Sequence, residues 1–128
     1  MSERAIQNAG RNALAGQCLC FRANIGQAWT GDAERLPNGD VLIRNARPFS
    51  TGLPAGFHDT FGIVPVMVTQ DMVGSTVGMF FSVEYKDAKG RATPKQLAFR
   101  DAIRRMGGRS GIARSAQEAI DIALNGAV

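Results

Sequence analysis

The sequence predicts an α/β fold in which helices flank a mixed central sheet. Three observations carry this expectation. Residues 3–15 follow helical spacing. The middle of the chain holds apolar, strand-like runs, the clearest from Val77 to Lys86. The C-terminal third then reads helix, strand, helix, with each helix opened by a capping signal. No internal repeat, low-complexity tract or linker interrupts the 128 residues, so one domain spanning 1–128 is expected.

The first helix is closed by Gly16, and Glu3, Gln7, Gly10 and Leu14 fall along one stripe of it. Cys18 to Ile25 and Ala28 to Trp29 read as extended. Leu36-Pro37-Asn38-Gly39-Asp40 is a strong turn signal, with a short strand at Val41-Leu42-Ile43 after it. Residues 44–58 contain Pro48, Gly52, Pro54 and Gly56 and read as a loop that delivers Asp59 to the next strand. That strand is Phe61 to Val68, where Pro65 implies an edge or a bulge. Thr69 to Thr76 turns the chain into Val77–Lys86. Alternation there sets Val77, Met79, Phe81, Val83 and Tyr85 on one face and Phe80, Ser82, Glu84 and Lys86 on the other. Thr93-Pro94-Lys95-Gln96 starts a helix whose stripe is Phe99, Ala102, Ile103 and Met106, and Gly107-Gly108 stops it. Arg109 to Ala113 reads as a short strand. Ser115 and Glu118 then open a helix to about Leu124.

The composition, 45% hydrophobic and 20% charged, is that of a soluble globular protein. No apolar run reaches the length of a membrane span, and no signal-peptide pattern opens the chain, so a cytoplasmic protein without a membrane partner is expected. Cys18 and Cys20 flank Leu19 and read as buried free thiols; with His58 the only histidine, a zinc site lacks ligands. The net charge of +4 is unevenly spread. Residues 86–114 hold nine basic side chains against Asp87 and Asp101, so this segment carries +7 and the remainder −3. Such a segment fits a polyanionic substrate, with Lys89, Arg91, Lys95 and Arg100 as phosphate contacts; a solvated helix surface is the competing reading.

The candidate chemistry lies where that basic segment begins. Glu84-Tyr85-Lys86 follows Asp59 by 25 positions. Two carboxylates that share a Mg²⁺ or Mn²⁺ ion, with a lysine on the same strand face as the second, are what metal-assisted phosphodiester cleavage needs. A carboxylate ending an apolar strand calls for a partner, which Lys86 could also supply as a structural ion pair. Asp59 could equally cap a turn, and Gln96 is explained as a capping residue. Glu3 suits a helix N-terminus by charge alone. Tyr85 points its side chain to the core if Glu84 faces the site.

The ordered set Gly56-Phe57-His58-Asp59, Glu84-Tyr85-Lys86, the Gln96-opened helix and Gly107-Gly108 resembles the PD-(D/E)XK nuclease superfamily. Within it the chain resembles the virus-type replication–repair nuclease (VRR-NUC) family over nearly its whole length. Arg22-Ala23-Asn24-Ile25-Gly26 is similar to an early element of that family. The resemblance implies a restriction-endonuclease-like fold and a Mg²⁺- or Mn²⁺-dependent DNA endonuclease. It implies that Asp59, Glu84 and the Tyr85 carbonyl bind metal, that Lys86 is catalytic, that Gln96 belongs to the site, and that Glu3 matches an acidic residue on the first helix. It further implies a homodimer that cuts branched DNA, notably Holliday junctions, and a phage or prophage origin. Cleavage of flaps or nicks, and a non-catalytic nucleic-acid-binding module on the same fold, are the alternatives. His58 departs from the family pattern, which often has a small residue or proline there; it reads as a hydrogen-bonded neighbour of the site or as a phosphate contact.

Overall fold

A computed structural model of the chain describes residues 2–24 and 26–127. Among these residues three helices and six strands follow in the order α1 (Glu3–Leu14), β1 (Leu19–Arg22), β2 (Ala28–Arg35), β3 (Val41–Phe49), β4 (Thr60–Ile63), β5 (Phe81–Tyr85), α2 (Pro94–Arg105), β6 (Arg109–Ala113) and α3 (Ala116–Asn125), with a 3₁₀ turn at Gln70–Met72. The fold is thus mixed α/β. In place of the expected single mixed central sheet, the strands form three two-stranded sheets, β1 with β4, β2 with β3, and β5 with β6. The chain divides into two compact units, Met1–Cys20 with Gly62–Val128, and Phe21–Phe61.

The first unit is organised by the parallel pair β5–β6, in register from Phe81 opposite Arg109 to Tyr85 opposite Ala113. Parallel strands cannot be joined by a hairpin, so the chain crosses over, and α2 is that crossover. Thr93 caps it by accepting from the Gln96 amide (3.1 Å), and Pro94 occupies the first turn. Gly107, at φ 89°, ends it as only glycine does readily. Ile103 is fully buried, and Ala113, Ile122 and Ile63 complete the small core. α3 begins at Ser115, whose hydroxyl accepts from the Glu118 amide. Glu118 reaches one residue beyond a capping box and accepts from the Arg114 amide instead. At its other end Arg109 donates to the carbonyls of Ala123 and Leu124, both at 2.9 Å, which suits the negative end of a helix. α1 is capped by Ser2 and buries none of its residues. Around the 3₁₀ turn the Thr69 hydroxyl donates to Asp71 and holds that carboxyl below its ordinary pKa.

The second unit is built on the antiparallel hairpin β2–β3, closed by the expected turn, in which the Leu36 amide donates to the Asp40 carbonyl at 2.7 Å. The expected loop over 44–58 begins only after Phe49, because β3 stays paired as far as Phe49 opposite Ala28. A register shift between Thr30 and Asp32 explains why this strand is hidden in the sequence: a bulge breaks the period-two alternation. Gly31 sits there, where a Cβ would come within 2.6 Å of the Arg44 carbonyl. Phe21, Phe57 and Phe61 form an aromatic cluster with centroid distances of 5.4–5.6 Å.

Two strands are shorter than their apolar runs. β4 stops at Ile63, ahead of Pro65. β5 spans only Phe81–Tyr85, since β6 offers five residues and Val77–Met79 belong to no strand among the described residues. Cys18 and Cys20 are free thiols, half-buried rather than core. Among the described residues no helix is long and apolar enough to cross a membrane.

α3 approaches β6 over Gly111, where a Cβ would lie 2.7 and 2.9 Å from two carbons of the buried Ile122. Gly111→Ala is therefore expected to lower stability by about 1–3 kcal/mol. Ile122→Ala added to it should cost less than it does alone. Denaturant unfolding of both single variants and the double checks this.

Candidate functional site

β5 carries Glu84 to its C-terminal end, and the pleat directs it, with Ser82, toward α2. Gln96 reaches it from the first turn of α2, its Nε2 donating to Glu84 Oε1 at 2.7 Å. The same side chain completes the capping box, with Gln96 Oε1 accepting from the Thr93 amide at 2.9 Å. The capping role and the site role of Gln96 thus coexist, one on each end of its amide. Lys86 Nζ lies 3.0 Å from the same Oε1, with its own backbone amide donating to the Ala113 carbonyl. Both contacts fall on one carboxylate oxygen. Oε2 has no hydrogen-bond or ion-pair partner among the described residues, and the Glu84 side chain is 38% exposed.

Tyr85 departs from expectation in its side chain, which is 65% exposed rather than core. Its backbone is better placed for the expected role. In a parallel pair alternate residues of each strand bond to the partner. The amide of Arg109 donates to Phe80 and that of Lys86 to Ala113, so the even-numbered residues of this stretch face β6. The Tyr85 carbonyl consequently points to the outer edge of β5, which pairs with no strand among the described residues.

Glu84 and Gln96 line a cleft of about 360 Å³ together with Ser82, Lys95, Phe99 and Arg100. Beneath it Ser82 and Ser110 share a hydroxyl hydrogen bond of 2.7 Å, Ser110 being buried. Sequence reasoning missed this pair. Ser82 was visible on the face of Glu84, but its partner follows only from the β5–β6 register. Of the expected phosphate contacts, Lys95 and Arg100 line the cleft, and Arg100 is also held by Asp101 at 2.9 Å. Lys89 and Arg91 are exposed in the connection to α2, where Asp87 accepts from the amides of Lys89 and Gly90.

Asp59 belongs to the second unit, one residue before β4. Its backbone carbonyl accepts from the Ala23 amide at 2.9 Å; its carboxylate is exposed and makes no hydrogen bond or ion pair among the described residues. His58 is exposed and lines a shallow hollow with Pro54, Phe57 and Phe61. Glu3 is exposed in the first turn of α1, where its charge suits the helix dipole. Among the described residues no group of three or more His, Cys, Asp and Glu side chains gathers that could hold a metal ion.

The structure therefore brings Lys86 and Gln96 onto Glu84, which lines a cleft together with Lys95 and Arg100. Compared with known proteins, the chain matches no family model, no curated protein and no solved structure.

Gln96→Glu separates the two jobs of residue 96. Glutamate can complete a capping box, but it sets a second carboxylate against Glu84, and one of the two is then pushed toward holding a proton. A carboxyl whose pKa is raised by folding adds stability at low pH that is lost as pH rises through the folded value. The deficit of this variant against the parent should therefore grow between about pH 4 and pH 8, as read by denaturation at each pH. A deficit independent of pH would remove the contact with Glu84.

Proposed function

We propose that the chain is a metal-dependent DNA endonuclease of the PD-(D/E)XK type, similar to VRR-NUC nucleases. The observation that carries this reading is the Glu84 carboxylate: two cationic or amide donors hold Oε1, while Oε2 is left open beside a cleft lined by Lys95 and Arg100. The reading rests on these residues and their arrangement, not on a matched family.

The donor set fits a hard divalent cation, Mg²⁺ or Mn²⁺. Glu84 Oε2 and the Tyr85 carbonyl are both oxygen donors without partners among the described residues, and Asp59 is the second carboxylate that the resemblance implies. Such an ion, when bound, lowers the pKa of water and offsets charge on the phosphate. The chain's own groups do the rest. Gln96 fixes the orientation of Glu84. The Lys86 ammonium, 3.0 Å from Glu84, is positioned to hold a water or the negative charge that develops on the phosphate. Lys95 and Arg100 hold the phosphate backbone, with Lys89 and Arg91 further out, which makes binding weaken with salt. Glu3 is the remaining acidic group that the resemblance offers to the metal.

The preferred substrate in this reading is branched DNA, cut by a homodimer as a Holliday junction resolvase of phage or prophage type would cut it in the cytoplasm of a bacterial host. Two symmetric incisions in a four-way junction call for two sites related by a two-fold axis. Flap or nick cleavage uses the same chemistry. A non-catalytic nucleic-acid-binding module is favoured by one observation: the Lys86–Glu84 ion pair and the Gln96 cap are each complete as structural interactions.

Cleavage of a synthetic four-way junction beside duplex and flap substrates, with Mg²⁺, Mn²⁺ or EDTA, tests the proposal. Glu84→Ala and Asp59→Ala should each reduce cleavage to background while DNA binding in EDTA persists; metal-dependent cutting retained by both would remove the proposed site, and no metal-dependent cutting by the folded parent would end the nuclease reading. Lys86→Ala should lower the single-turnover rate by about 10²-fold or more, with a smaller change in the metal concentration required. An unchanged single-turnover rate would make Lys86 structural.

A further inference from the structure

A second cleft, of about 480 Å³, lies within the same unit along the outer edge of β6. Arg100 and Arg104 line it from α2, Arg114 from the end of β6, and Glu118 and Asp121 from α3. Each guanidinium is fixed through one group and keeps donors to spare. Arg104 Nε donates to the Ser110 carbonyl at 2.8 Å, Arg100 Nε to Asp101 at 2.9 Å, and Arg114 Nη1 to the Asp87 carbonyl. The Nη groups of Arg100 and Arg104 have no partner among the described residues.

The two acids do not neutralise these arginines by contact. Glu118 accepts from the backbone amide of Arg114 at 2.5 Å. Asp121 accepts from Gln117 and Asn125 on its own helix. Neither forms an ion pair with the cleft arginines among the described residues. The floor adds a further donor. Ser110 turns its carbonyl to Arg104 and so away from β5; by the same alternation the Ile112 amide faces the cleft. Arg100 also lines the Glu84 cleft, so the two hollows share a wall.

We propose that this second cleft seats a phosphodiester group of the nucleic-acid strand that also passes Glu84, with Arg100, Arg104 and Arg114 as its ligands. Arginine forks match phosphate oxygens in pairs, and a fork already held by one bond loses less freedom on binding. The shared wall at Arg100 favours a chain-like ligand over a small ion. The identity of that strand rests on the nuclease reading; the binding of a phosphate there does not.

The test titrates labelled single-stranded and duplex oligonucleotides with the full chain, in EDTA and over a range of salt, with inorganic pyrophosphate as the small-anion arm. Arg104→Ala/Arg114→Ala should weaken oligonucleotide binding by about tenfold or more and reduce the slope of log affinity against log salt by roughly 2. Arg114→Ala alone, at an exposed position, should reduce the slope by roughly 1 and carries the result if the double variant fails to fold. Arg104→Lys keeps the charge and should retain most of the slope. Affinity and slope unchanged in Arg114→Ala and in the folded double variant would overturn the proposal. So would pyrophosphate binding as tightly as the oligonucleotides, which would leave a small-anion site. Cleavage by the parent chain with Mg²⁺ or Mn²⁺ is scored separately: its absence would sink the nuclease reading and leave these binding results standing.

Discussion

The candidate site depends on the parallel pairing of β5 with β6. Five residues on each strand are aligned, and from that register follow the direction of Glu84, the hydroxyl pair of Ser82 with Ser110, and the turn of the Tyr85 carbonyl away from β6. The pairing also dictates the crossover. A helix must return the chain to the start of β6, and its first turn then lies beside the end of β5, where Glu84 sits. Glycine makes the packing possible. A Cβ at Gly108 would come within 3 Å of Ile63 and Ile103, and one at Gly111 would press on Ile122. The core is small, so these close approaches carry a large share of what holds α2 and α3 to the strands.

Charge is arranged around that frame with economy. A single carboxylate faces a cleft whose other ionisable lining residues are Lys95 and Arg100, and Lys86 approaches it from the strand. An isolated glutamate among cations would simply be neutralised. Here both contacts converge on one oxygen, which keeps the other in reach of a cation. Arg100, Arg104 and Arg114 are likewise each held by a single bond to a carbonyl or to Asp101, arrangements that orient a guanidinium without saturating it.

Much of the site's local chemistry was legible in the sequence, because it depends on short-range rules. The capping signal at Thr93–Gln96, the strand Arg109–Ala113 and the shared face of Ser82 and Glu84 all appear as read. What failed depends on pairing. A bulge at Asn45 and Ala46, opposite Gly31, concealed the second half of β3 by breaking its alternation, and the apolar run before Phe81 overstated β5, since hydrophobicity does not say where a partner strand ends. Alternation alone places the Tyr85 side chain on a core face, and that face is exposed at its position. The cleft along β6 joins residues from α2, β6 and α3 and was beyond any reading of spacing.

Gln96 has a consequence beyond geometry. One side-chain amide binds the backbone that begins α2 and the carboxylate that ends β5. The two bonds are therefore thermodynamically linked: whatever draws Glu84 toward another ligand weakens the hold on the start of the helix, and whatever frays the helix releases Glu84. Amide hydrogen exchange over the first turn of α2 would then report on what the carboxylate is bound to. The helix start would act as a built-in gauge of the site, readable without any turnover.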